Sequence, residues 1–138
     1  MTWLFWSLLS AVFAAATAVL AKVGVTGVDS NLATAIRTLV VLVFTWAIVL
    51  ATDRPAVTNL SARTWLFLTL SGLATGLSWL CYFRALQLGP ASRVAPVDKL
   101  SVVFVILLAA GFLGERLTVG KAAGGLLIAA GAIILALE

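Results

Sequence analysis

Histidine is absent from this chain of 138 residues, and cysteine occurs once, as Cys81. A single cysteine excludes an internal disulfide, and with no imidazole it excludes any metal site built on those two ligand types. Charge is scarce too. Asp, Glu, Lys and Arg make up 10% of the chain, against about 25% in a soluble domain. That leaves too little polar surface to coat a globule in water. The net charge of +4 is spread along the chain, without the dense basic patch that a nucleic-acid partner would require. No glycine-rich phosphate loop, ATP-binding motif or other cofactor signature occurs, so no cofactor is expected. Alternation of apolar and polar residues over ~10 positions, the mark of a transmembrane strand, is also missing. The opening Met1-Thr2-Trp3 lacks the positive leader of a secretory signal, which argues against cleavage near Ala14-Ala15-Ala16.

What the chain has in abundance is apolar residues, 63% of the total. A membrane helix needs about 20 mostly apolar residues, and five runs reach that length. They cover residues 3–21, 31–51, 64–83, 92–113 and 119–137. The expected architecture is therefore an all-α membrane protein of five transmembrane helices, with residues 1–138 as a single domain and the lipid bilayer as its solvent. Turn chemistry separates the runs: Gly24, Gly27 and Asp29; Asp53-Arg54-Pro55; Gly89-Pro90; and Gly114-Glu115-Arg116. Glycine and proline stop helices at such places. The longest connector, 52–63, is too short to hold a catalytic domain.

Orientation follows an excess of Lys and Arg on the cytoplasmic side, and here the excess is nearly nil. Arg54, Arg63, Arg116 and Lys121 fall on the side of the N-terminus. Lys22, Arg84 and Arg93 fall on the other, with Arg37 and Lys99 deeper on that side. Insertion both ways round and a single orientation decided by one or two residues both fit this balance.

Polar residues recur within the spans at helical spacing: Ser7, Ser10 and Thr17; Asn31, Thr34 and Thr38; Ser71, Thr75, Ser78 and Tyr82. They serve either helix–helix hydrogen bonding or a polar-lined pathway. The charges say more. Arg37 lies about two turns inside its helix, and Asp98 and Lys99 sit at a similar depth in the fourth run. A charge at depth costs at least ~2.5 kcal/mol and usually faces a partner or a cavity. Adjacent residues project about 100° apart on a helix, so Asp98 is expected to pair with Arg37 or Arg84, leaving Lys99 free. Both an ion-pair knot and a solute site agree with this. Pro96 precedes the pair and should distort the helix there. Broken helices beside charges mark binding sites in transporters, although a packing kink would look the same. Candidate substrate-binding or coupling residues are Arg37, Trp79, Tyr82, Arg84, Asp98 and Lys99. The surplus of positive charge favours an anionic or zwitterionic solute, with Trp79 and Tyr82 as an aromatic wall. Glu115 and Arg116 read as structural. Gly72 and Gly76 form one GxxxG pair and Gly120 and Gly124 another, and Gly124 shares a face with Gly131. Glycines at such spacing let helices approach closely, which makes Gly124 and Gly131 candidate dimer contacts.

The stretch Tyr82–Thr118, YFRALQLGPASRVAPVDKLSVVFVILLAAGFLGERLT, resembles the EamA-type domain of the drug/metabolite transporter superfamily. GGLLIAAG in the fifth run and Arg37 in the second also fit. Most members of that family carry ten helices in two domains of opposite orientation. This five-helix chain is similar to the short bacterial and archaeal members, and looks like one half of that inverted-repeat architecture. The resemblance implies transport of a small metabolite, often outward. The lack of an ATP-binding loop makes it gradient-driven, the polar site makes the solute polar, and the cell (inner) membrane is the expected location. Resemblance and charge balance together favour two copies inverted relative to each other. Related four-helix multidrug exporters bind cations and protons at a glutamate in the first helix. Here the first helix has no acid, which puts that chemistry in doubt and leaves Asp98 as the one deep acid. Two other classes remain: a non-transporting membrane subunit that assembles with a partner, and an intramembrane enzyme, which lacks any nucleophile–base pair to work with.

Overall fold

The computed structural model describes residues 2–52 and 60–138. The Asp53-Arg54-Pro55 helix stop lies outside these. Six α-helices follow in chain order: α1 Trp3–Gly24, α2 Ser30–Ala51, α3 Ala62–Leu88, α4 Ala91–Asp98, α5 Ser101–Phe112 and α6 Val119–Leu137. No strand occurs among the described residues. Taken together, α4 and α5 form one apolar stretch, Ala91–Phe112, so the described residues hold five segments long and apolar enough to cross a membrane. A span of 22 residues rises about 33 Å at 1.5 Å per residue, enough to match a hydrocarbon core of ~30 Å.

Local chemistry sets the helix ends. Asp29 caps α2, its Oδ1 accepting from the amides of Asn31 at 2.9 Å and Leu32 at 3.0 Å. Ser61 Oγ accepts from the Thr64 amide at the start of α3, and Thr118 Oγ1 from the Lys121 amide at the start of α6. Each side chain satisfies an amide that has no partner within its helix, and that matters more where water is scarce. Two turns need a left-handed residue and have glycine there, Gly27 at φ +76° and Gly114 at φ +68°.

Two departures from the sequence expectation have clear causes. The third helix runs five residues beyond Phe83, to Leu88. Arg84 and Gln87 are polar but form helix readily, and the chain stops only at Gly89-Pro90, where proline disfavours helical backbone in the residue before it. The fourth run is not one helix. Pro96 has no N–H to donate to the carbonyl four residues back, and the chain tightens after it. Lys99 and Leu100 donate three residues back to Pro96 and Val97, and Val102 and Val103 do the same to Lys99 and Leu100, all at 3.0 Å. This short 3₁₀-like stretch separates α4 from α5.

The described chain falls into two compact units. One comprises α1 to Lys22 together with Leu88–Glu138. In it α6 packs on α4 and on α5. Small residues permit the approach: Ala109, Gly125 and Ala132 are buried, and a methyl placed on Gly125 would lie 3.4 Å from Ile106 Cδ1. Lys22 Nζ donates to the Gly89 carbonyl at 2.9 Å, tying the end of α1 to the loop before α4. The second unit, Val23–Gln87, holds α2 and most of α3. Val25, Ser30, Thr34, Phe83 and Leu86 are its buried residues.

Most large apolar side chains on every span are exposed, among them Leu39, Val43, Leu66 and Leu126. Surfaces of this kind are stable only against lipid or another apolar partner.

Candidate functional site

The site residues of the second unit gather at the end where α2 begins and α3 finishes. Trp79, Tyr82, Phe83 and Leu86 recur at spacings of three and four, one face of α3. Phe83 and Leu86 on it are buried and Trp79 and Tyr82 half-buried. From α2, Arg37 reaches this face. Its guanidinium carbon lies 4.2 Å from the centre of the Trp79 ring and 5.4 Å from that of Phe83. Both distances lie within the ~6 Å range of a cation–π contact. Within this unit a positive charge inside a span thus lies against aromatic rings. Among the described residues of this unit the acid is Asp29, whose Oδ1 is engaged in capping.

Arg84 is placed differently. Five residues beyond Trp79, it points away from the aromatic face. Its Nη1 donates to Gln87 Oε1 at 3.0 Å, and Gln87 Nε2 donates in turn to the Val28 carbonyl in the turn before α2. This chain ties the end of α3 to the start of α2, and nothing in the sequence spacing announced it. Phe83 was also missed. A phenylalanine in an apolar helix looks like any lipid-facing residue, and its one available signal is that it follows Trp79 by four.

In the first unit Asp98 and Lys99 flank the break between α4 and α5. Lys99 Nζ lies 3.1 Å from Asp98 Oδ2, with the two side chains 56% and 36% exposed. This corrects the expectation that Lys99 is left free. The argument from 100° spacing assumed an unbroken helix. Lys99 lies just past the end of α4, and its four-carbon stem can fold back on the residue before it. A second pair joins Lys121 Nζ to Glu115 Oε2 at 2.8 Å, in keeping with a structural role for Glu115. The cleft beside it is walled by Val105, Ile106 and Ala109.

Several hydroxyls of the stripes bond within their own helices. Ser7 donates to the Trp3 carbonyl, Thr34 to Ser30, Thr38 to Thr34 and Thr75 to Ser71. Back-bonding of this kind occupies the hydroxyl proton and leaves oxygen lone pairs as acceptors. On α6, Gly124 and Gly131 stand where an added methyl would meet nothing within 4 Å. No group of three or more metal-ligating side chains gathers among the described residues.

Five membrane-length segments among the described residues make this a multi-pass membrane protein. Residues 1–137 match the EamA-like transporter family, and the chain belongs to that family. It is also 57% identical over 138 residues to a Sinorhizobium protein described as an uncharacterized transporter in the cobO 3′ region; the match covers 98% of this chain and 96% of that relative. No solved structure matches the chain.

Proposed function

We infer that the protein is a secondary transporter that exports a small polar metabolite across the cell's inner membrane, and that it acts as an inverted homodimer rather than as an enzyme. The observation that carries this reading is Arg37, a cation within a membrane span that lies over the Trp79 and Phe83 rings. An ionisable group at such a place is a functional site by default. The break at Lys99-Leu100 supports it, since interrupted spans supply backbone groups to solute sites in transporters. Membership of a transporter family points the same way. The dimer follows from the near-even charge balance and the five spans: a second, inverted copy would complete a ten-helix transporter.

The test is counterflow in vesicles reconstituted with purified protein, using a panel of amino acids, organic acids, sugars and amines. Saturable exchange of at least one solute is expected. A folded, reconstituted protein that moves none of them, and that none of them stabilises, would instead be a membrane subunit serving a partner protein.

A further inference from the structure

Resting on the transporter reading, we propose that Arg37 is the grip for a carboxylate, and that the solute is a small molecule bearing one carboxylate group at the site. A guanidinium has five N–H donors, all lying in its own plane. Rings that meet its face leave that plane open. The guanidinium carbon lies over the Trp79 ring at 4.2 Å and over the Phe83 ring at 5.4 Å from their centres. Neither ring offers a lone-pair acceptor, so these contacts satisfy no N–H group with a conventional hydrogen bond. Within its unit, among the described residues, the guanidinium makes no hydrogen bond to a carboxylate or carbonyl. What remains is a fixed fork of paired N–H donors, the geometry that binds a carboxylate through two parallel hydrogen bonds.

Charge narrows the ligand further. Arg84 points off the aromatic face and is bonded to Gln87. Arg63, at the opposite end of α3, lies by the Phe67 ring. Arg37 therefore stands as a single positive charge on this face. It neutralises a monoanion. A phosphate dianion would bring surplus charge into a low-dielectric site, which is costly. A neutral amide could accept through one oxygen only and would forgo the charge-assisted part of the bond. The half-buried Tyr82 on the same face adds an aromatic surface for the rest of the solute.

The experiment uses the full chain in detergent and in vesicles, with matched probes: benzoate, lactate and glycine against benzamide, lactamide and glycinamide, with inorganic phosphate alongside. Binding is read as a rise in thermal midpoint and as quenching of Trp79 fluorescence, assigned by its loss in Trp79→Phe. At least one carboxylate is expected to bind about tenfold more tightly than its amide and than phosphate, the size of effect that a charge-assisted hydrogen bond gives. Arg37→Gln should abolish that preference. Arg37→Lys, which keeps the charge and loses the fork, should retain only part of it. Equal binding of acids and amides, tighter binding of phosphate, or full carboxylate affinity in Arg37→Lys would overturn the proposal. Should Arg37→Gln fail to fold, the lysine variant decides the matter alone. The two readings fail separately. Vesicle flux of solutes with no carboxylate preference sinks the grip and leaves the transporter. Arg37-dependent carboxylate binding with no flux of any solute sinks the transporter and leaves the grip.

Discussion

The Arg37 guanidinium carbon sits 4.2 Å from the centre of the Trp79 ring, joining α2 to α3 across 42 positions of sequence. The contact lies between helix faces in a unit whose buried residues are few. A cation–π contact out of water contributes up to ~2 kcal/mol. Trp79→Leu should therefore lower the thermal midpoint of the purified protein, and Arg37→Met should do less further harm in that background than in the native one. A double-mutant cycle on detergent-solubilised protein measures the coupling, expected at about 1–2 kcal/mol. A coupling near zero would mean that the rings and the cation are neighbours without an energetic bond.

The Asp98–Lys99 pair gives the second expectation. Removing one member leaves the other charged within an apolar span, so Asp98→Asn and Lys99→Gln should each reduce the yield of folded protein. The double variant should recover much of it, because no lone charge remains. The pair is partly exposed, so each loss should fall below the ~3–5 kcal/mol of a fully buried pair. Thermal midpoints and solubilised yields of the four proteins test it. If the double variant is as poor as the worse single one, these charges have other essential partners.

How far this was legible in the sequence depends on which property carried the signal. Spans could be read because their lengths and apolar runs are set by bilayer thickness, and the helix ends of α2 and α6 fall within a residue of the apolar runs. Arg37 stood out because a charge in such a run is rare. The end of α3 was misjudged because polarity at Arg84 was taken as a boundary, whereas backbone preference at Gly89-Pro90 decides it. Pro96 announced a distortion, but its extent depends on the hydrogen bonds that Lys99 to Val103 find afterwards. The Asp98–Lys99 contact was ruled out by ideal helix geometry, which that same break sets aside. Phe83 had no signal of its own. An apolar residue that serves a site by its ring face is indistinguishable, in sequence, from one that serves lipid.

Pro96 supplies a third prediction. Alanine there would restore an N–H able to donate four residues back, and an interior proline costs a helix about 3 kcal/mol. Pro96→Ala should fuse α4 and α5 into a continuous helix, raise the thermal midpoint and slow transport severalfold. The relevant measurements are the melting curve and counterflow rate of the same preparation. A variant that is more stable yet transports at the native rate would show that the break at Lys99-Leu100 serves packing alone.

The α6 glycines allow assembly to be separated from folding. Gly125 faces Ile106, and a methyl there already reaches 3.4 Å, so Gly125→Leu should disturb the packing of α6 on α5 and lower folded yield. Gly124 and Gly131 face open space, so leucine at both should be tolerated within the chain. If α6 forms the contact between copies, those leucines hold the two backbones apart and weaken the dimer. Cysteine crosslinking between copies, in a background with Cys81 replaced by serine, measures this directly. The expected result is native yield with severalfold less crosslinked dimer for Gly124→Leu/Gly131→Leu, and reduced yield for Gly125→Leu. Reporter fusions at the C-terminus add the orientation: an inverted pair requires signal from both sides of the membrane. Unchanged crosslinking between sixth helices in the double leucine variant would remove α6 from the interface, and signal from one side only would leave a parallel dimer or a second protein as the partner.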